Sequence, residues 1–141
     1  MPRTTALTLV TLVAMASPAL AYYQPLIPLE VRDTGTPATF EVIEGRGAGP
    51  SHIWCVAADH ARRVLDADGT QRLTVVSPLG ASQTKPGSKA VAFTLDPQTA
   101  AAVTEDRSGF LGGVLLSVRR AGSSMSVTQA LQYCTDHIDL N

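Results

Sequence analysis

Ser51-His52-Ile53-Trp54-Cys55-Val56-Ala57-Ala58-Asp59-His60-Ala61-Arg62-Arg63-Val64-Leu65-Asp66 decides the fold, because this stretch predicts a helix that must be covered on more than one side. Pro50, just before it, suits a first helical turn, where a missing amide proton leaves no bond unmade. At about 100 degrees per residue, Ile53, Trp54, Ala57, Ala58, Ala61, Val64 and Leu65 gather on one broad apolar face. Cys55, Asp59, Arg62 and Asp66 lie on the other. The second cysteine of the chain is Cys134. It falls on the apolar stripe of a C-terminal helix formed by Val127, Ala130, Leu131, Cys134 and Ile138. That helix opens with a capping box, Ser126 followed three residues later by Gln129. A bond between the cysteines therefore requires the last helix to pack over the outer side of the first. Trp54 and Tyr133, each preceding a cysteine, would give the bridge aromatic cover.

Upstream of this helix, Leu29-Glu30-Val31-Arg32 and Phe40-Glu41-Val42-Ile43 alternate apolar with charged residues around the turn-forming Asp33-Thr34-Gly35-Thr36-Pro37. They predict a hairpin whose exposed edge is marked by Pro28. Downstream, Asp68-Gly69 ends the helix, and Leu73-Thr74-Val75-Val76 reads as a strand. Pro78 to Ser88, with two prolines and two glycines, reads as a long loop. Val91, Phe93 and Leu95 then alternate with Ala90, Ala92 and Thr94, giving a strand with one bulky and one small face. Asp96-Pro97 starts a short helix through Ala100 to Val103. Gly109 to Gly113 is punctuation, and Val114 to Val118 makes a last strand. This order predicts an α+β fold: a mainly antiparallel sheet of about five strands, two main helices, one short helix and a helix-to-helix disulfide.

The first twenty-one residues set the address. Arg3 precedes an apolar run from Ala6 to Ala16, Ser17-Pro18 breaks it, and Ala19 and Ala21 offer the small residues a signal peptidase reads. The run is shorter than the roughly twenty residues a spanning helix needs, so residues 1–21 read as a cleaved signal peptide and no membrane span is expected after it. Residues 22–141 then form a single domain. In the oxidising compartment this implies, Cys55 and Cys134 are expected to pair. Of the 11 basic and 12 acidic residues, Arg3 leaves with the signal, and the mature charge is slightly negative. That balance argues against nucleic acid, which demands a basic face. Phe40, Trp54, Phe93, Phe110 and Tyr133 are too few for a base-stacking or sugar-binding platform.

Several constellations carry possible chemistry. Gly45, Gly47 and Gly49 before a helix have the look of a dinucleotide loop, but proline stands at position 50 where the third glycine belongs, and no cofactor is assigned. Arg46 with Gly47, beside a helix N-terminus, remains a candidate for holding a carboxylate or phosphate. His52, Cys55 and Asp59 share one helical face. With Cys55 oxidised, His52 and Asp59 are left as a two-ligand metal candidate, competing with a simple pair between Asp59 and Arg62 or Arg63. His60 reads as a boundary histidine, pointing about 140 degrees away from Cys55 and so unable to act as its base. His137 could reach Cys55 from the last helix only if the thiol stayed free. No serine elbow, two-histidine zinc motif or Walker sequence occurs. The Pro78 to Ser88 loop, carrying Gln83 and Lys85, is the candidate partner surface.

Phe40-Glu41-Val42-Ile43, Gly49-Pro50 with Trp54-Cys55, Phe93-Thr94-Leu95-Asp96-Pro97 and Tyr133-Cys134 together resemble a group of small bacterial secreted proteins with no known function. The resemblance implies a Gram-negative periplasmic address and a paired-cysteine fold. The expected role is a non-enzymatic periplasmic or secreted module that binds a protein or envelope component through loops. The alternatives are a metal or small-anion binder, or an enzyme whose site is assembled from scattered residues.

Overall fold

The computed structural model describes residues 28–105 and 117–135. Among them the elements run β1 (Val31–Asp33), β2 (Thr39–Ile43), α1 (Pro50–Arg63), β3 (Arg72–Ala81), β4 (Lys89–Thr94), α2 (Pro97–Glu105), β5 (Ser124–Ser126) and α3 (Val127–Gln132). The strands form one five-stranded sheet in the order β1-β2-β4-β3-β5, with every pairing antiparallel. The fold is thus α+β, as the sequence pattern predicts. α1 carries the chain from β2 to β3 and leaves between them the place that β4 fills.

Alternation decides which side of each strand meets the helix. Phe40 lies opposite Phe93, Phe93 opposite Val75, and Val42 opposite Val91, so these residues share one face. Trp54 of α1 meets the Phe93 ring edge-on at 4.9 Å, and His60 lies 4.6 Å from the Phe40 ring. The aromatic and aliphatic side chains between α1 and this face are buried and form the core with Leu73, Met125 and Ala61. Burying rings of this size is the main source of cohesion in so small a core.

The other side of α1 is covered by α3, as a bond from Cys55 demands. The Cys55–Cys134 disulfide is present, with Cα atoms 5.0 Å apart and the two residues 79 positions apart in sequence. Closing a loop of that length stabilises a fold by about 4.5 kcal/mol in the chain-entropy account. The capping box forms in full: the Gln129 amide donates to the Ser126 hydroxyl, and the Ser126 amide donates to the Gln129 side chain. Two more first-turn amides, of Val127 and Thr128, donate to the carbonyls of Gln71 and Gly69. The start of α3 is therefore stitched to the loop that leads into β3.

Several boundaries differ from the sequence reading. α1 stops at Arg63, not Asp66, because Asp66 adopts a left-handed φ of 51° and turns the chain back. Ala67 enters the core and donates to the Ala61 carbonyl, while Val64 and Leu65, expected on the apolar face, are 66% and 38% exposed. Cys55, expected on the polar face, is buried because α3 covers that face. The strand expected at Leu73–Val76 runs on to Ala81. It absorbs Pro78 and Gly80 through irregular pairing between Val75 and Gly80, where a missing donor breaks no ladder bond. The long loop thereby shrinks to residues 82–88. Of the expected strand at 114–118, residues 114–116 lie outside the described residues, and Val118 sits in a turn whose carbonyl accepts from Leu79. The described strand that pairs with the outer side of β3 is the three-residue β5, which the sequence reading does not predict. Of the described helices the last is the shortest, with six residues, and Cys134 lies in the turn after it. Residues 1–21, expected to be a leader, Gly109 to Gly113, His137 and Ile138 lie outside the described residues.

Candidate functional site

The 82–88 segment closes the β3–β4 hairpin, and it is folded down onto the sheet. Its tip is a turn in which Ser88 donates to the Lys85 carbonyl at 3.2 Å. Pro86 presets the backbone there, and Gly87 supplies the left-handed φ of 80°. The Ser82 amide donates to the Ser88 carbonyl and closes the base.

What holds the segment against the sheet is Glu41 of β2. Its Oε2 accepts from the Ser82 hydroxyl at 2.7 Å, the Thr84 hydroxyl at 2.7 Å and the Thr84 amide at 3.1 Å. Its Oε1 accepts from the Gln83 amide at 2.9 Å. The residue is 2% exposed. Burial pushes its carboxyl up, but the bonds from Gln83, Thr84 and Ser82 outweigh burial and hold it below the usual carboxylate range. Local sequence explains the placement. Alternation sends Glu41 to the face opposite Phe40 and Val42, and its neighbour across the ladder on β4 is the small Ala92.

On β1, Arg32 lies directly opposite Glu41 and donates to the Thr84 carbonyl at 3.2 Å. Arg32 also pairs with Glu30, and Glu30 pairs with Lys85. Both partners lower the Glu30 carboxyl, Lys85 more than Arg32. The candidate partner residues thus have distinct places: Gln83 is exposed at the crest with its amide bonded to Glu41, and Lys85 is engaged with Glu30. Glu41 and Arg32 were not singled out by the sequence reading. In sequence, Glu41 looks like the solvent-facing half of an alternating strand, and only the four hydroxyl and amide donors folded over it reveal its burial.

Arg46 and Gly47 occupy a tight turn in which the Ala48 amide donates to the Gly45 carbonyl and Gly47 takes a φ of 79°. Arg46 is exposed there, and Gly49 caps α1 without a side-chain bond. The His52, Cys55 and Asp59 face is largely committed to structure. Cys55 is in the disulfide, Asp59 accepts from Arg63 at 3.0 Å, and His52 is buried. Burial pushes the Asp59 carboxyl up. Among the described residues, no three His, Cys, Asp or Glu side chains converge as a metal site would require. The Trp54 ring is committed to Phe93, and Tyr133 is half-buried against the core. None of the described helices is long and apolar enough to cross a membrane. Compared with protein-family models, with curated proteins and with solved structures, the chain finds no match.

Proposed function

We propose that this is an exported, disulfide-braced module that binds a protein or envelope component in the periplasm through the 82–88 turn and the charged residues beside it. The observation that carries this reading is the way the turn is presented. Residues 82–84 are fixed from beneath by Glu41, while Gln83, Pro86 and Gly87 stay exposed above. A surface ordered before contact avoids much of the entropy cost of ordering it on contact, and loops on a braced scaffold are where recognition commonly sits. The leader pattern at residues 1–21 and the Cys55–Cys134 bond support an oxidising, extracytoplasmic address.

The test is capture of crosslinked partners from a Gram-negative envelope extract, using the oxidised chain and a Gln83→Ala, Lys85→Ala double variant. The reading expects a partner that the unaltered chain enriches and the variant loses. Equal recovery by both, or no partner at all, would overturn it.

A further inference from the structure

Three features single out the seat of the 82–88 turn. The turn rests on one buried carboxylate, that carboxylate is the acceptor for four donors, and those donors come from three successive residues 41 to 43 positions away in sequence. The remaining ties to the sheet, from Arg32 to the Thr84 carbonyl and from Lys85 to Glu30, are exposed. Bonds of that kind contribute little in water, whereas bonds to a buried ion are about twice as strong as neutral ones.

We infer that the turn is latched to the sheet by the negative charge of Glu41 and lets go when that charge is removed. A carboxylate accepts from all four donors at once. Adding one proton from solvent converts one oxygen into an O–H: the Ser82 and Thr84 hydroxyls can turn to accept from it, but the Gln83 and Thr84 amides can only donate, and they lose the charged acceptor that holds them. The two states thus differ by one proton on one side chain, with the β3–β4 ladder intact in both.

The charges around the latch are balanced. On β1 and just before it, Arg32 and Glu30 lie on the same face as Glu41; the turn contributes Lys85, and β4 presents Ala92. Lys89 and Glu44 fall on the opposite parity of their strands. Among the described residues no other carboxylate accepts from these donors, so a change at Gln83 and Thr84 reports on Glu41. The hydrogen bonds keep this carboxyl below its ordinary value of 4.5, so the latch stays shut at neutral pH and opens as pH falls through that lowered value.

Any effect of the latch on binding rests on the function proposed above; the latch itself does not, and its test needs no partner. In the oxidised, isotopically labelled full chain, the Gln83 and Thr84 amide resonances and the Glu41 carboxyl carbon are followed from neutral pH to about pH 2.5, well below the ordinary carboxylate range. They should move together with a midpoint below 4.5. Hydrogen-exchange protection at both amides should fall by about tenfold or more, the loss expected when bonds to a charged acceptor go, while β4 amides keep theirs. At neutral pH, Glu41→Gln should show the same local loss and Glu30→Gln should not. Unchanged protection in Glu41→Gln, or amide titration that disappears in Glu30→Gln, would overturn the latch. If Glu41→Gln fails to fold, the titration of the unaltered chain decides alone: separate midpoints for the amides and the Glu41 carboxyl would end it.

Discussion

On the helical side of the sheet, α1 is held by packed rings and by a covalent bond to the turn after α3; on the opposite side, the 82–88 turn is held by one carboxylate and its donors. The first attachment is closed by sulfur and depends on redox state, with the His60 imidazole packed on Phe40 as its titrating group. The second contains no sulfur and depends on protonation. One small sheet thus carries two fastenings that answer to different conditions, and each can be broken while the other is watched.

The largest effect should come from the covalent side. Replacing Cys55 and Cys134 together by serine should cost about 4.5 kcal/mol on the chain-entropy account, less whatever structure the unbonded chain retains. Urea unfolding of the oxidised protein and the variant measures it. If the two fastenings are independent, the Gln83 and Thr84 amides of the folded variant keep their protection.

Acid should separate the two sides by pH. His60, packed on Phe40, has its imidazole held below the ordinary value of 6.5, chiefly by burial and against the pull of the Asp33 charge. The unfolded chain therefore binds the proton more readily, and stability falls as pH drops below about 6.5 toward the lowered folded value. Glu41 has its carboxyl held below 4.5, so its contribution is intact above that value and is lost only as pH falls further. Asp68 and Asp96 are also lowered, by bonds from Thr70 and from Thr99 respectively, and belong to the same acid range. Unfolding free energy measured against pH should thus fall in two stages. His60→Phe should remove the upper stage and leave the lower one. A single stage in the unaltered protein would show that the two sides are not separable by acid.

The smallest effect lies at the seam of α3. Ser126→Ala removes the hydroxyl half of the capping box and should cost about 1 kcal/mol. Thermal unfolding checks it, and the loss should be the same with the disulfide present or reduced, because the cap bonds the helix to its own first turn.

How far the sequence discloses this arrangement depends on whether the cause is local. The helix after Pro50, the hairpin around Gly35, the alternation of Val91 and Phe93 and the Ser126–Gln129 box are all written within a few neighbouring residues, and they form. The pairing of Cys55 with Cys134 follows because no other sulfur partner exists. The misread positions are those where a distant contact overrides a local habit. Pro78 and Gly80 look like loop residues, yet β4 and the carbonyl at Val118 keep that segment in the sheet. Val64 and Leu65 continue the apolar stripe, yet the left-handed Asp66 hands their place to Ala67. Glu41 is the sharpest case: its partners stand more than forty residues away, and nothing around it in sequence marks a buried charge.

The span between the cysteines sets one further boundary. Sulfur ties residues 55 to 134 into a ring that contains β3, β4, α2, β5 and α3, while β1 and β2 stay outside it, joined through the 45–49 connector. A single proteolytic nick in that connector would leave the outer hairpin attached by backbone pairing and burial alone. Loss of the hairpin would then bare the edge of β4 beside Phe93, a surface prone to pairing with other chains. A synthetic peptide spanning 28–44, offered to the nicked ring, becomes a natural complementation partner, and the Glu41 it carries would bring the missing half of the latch with it.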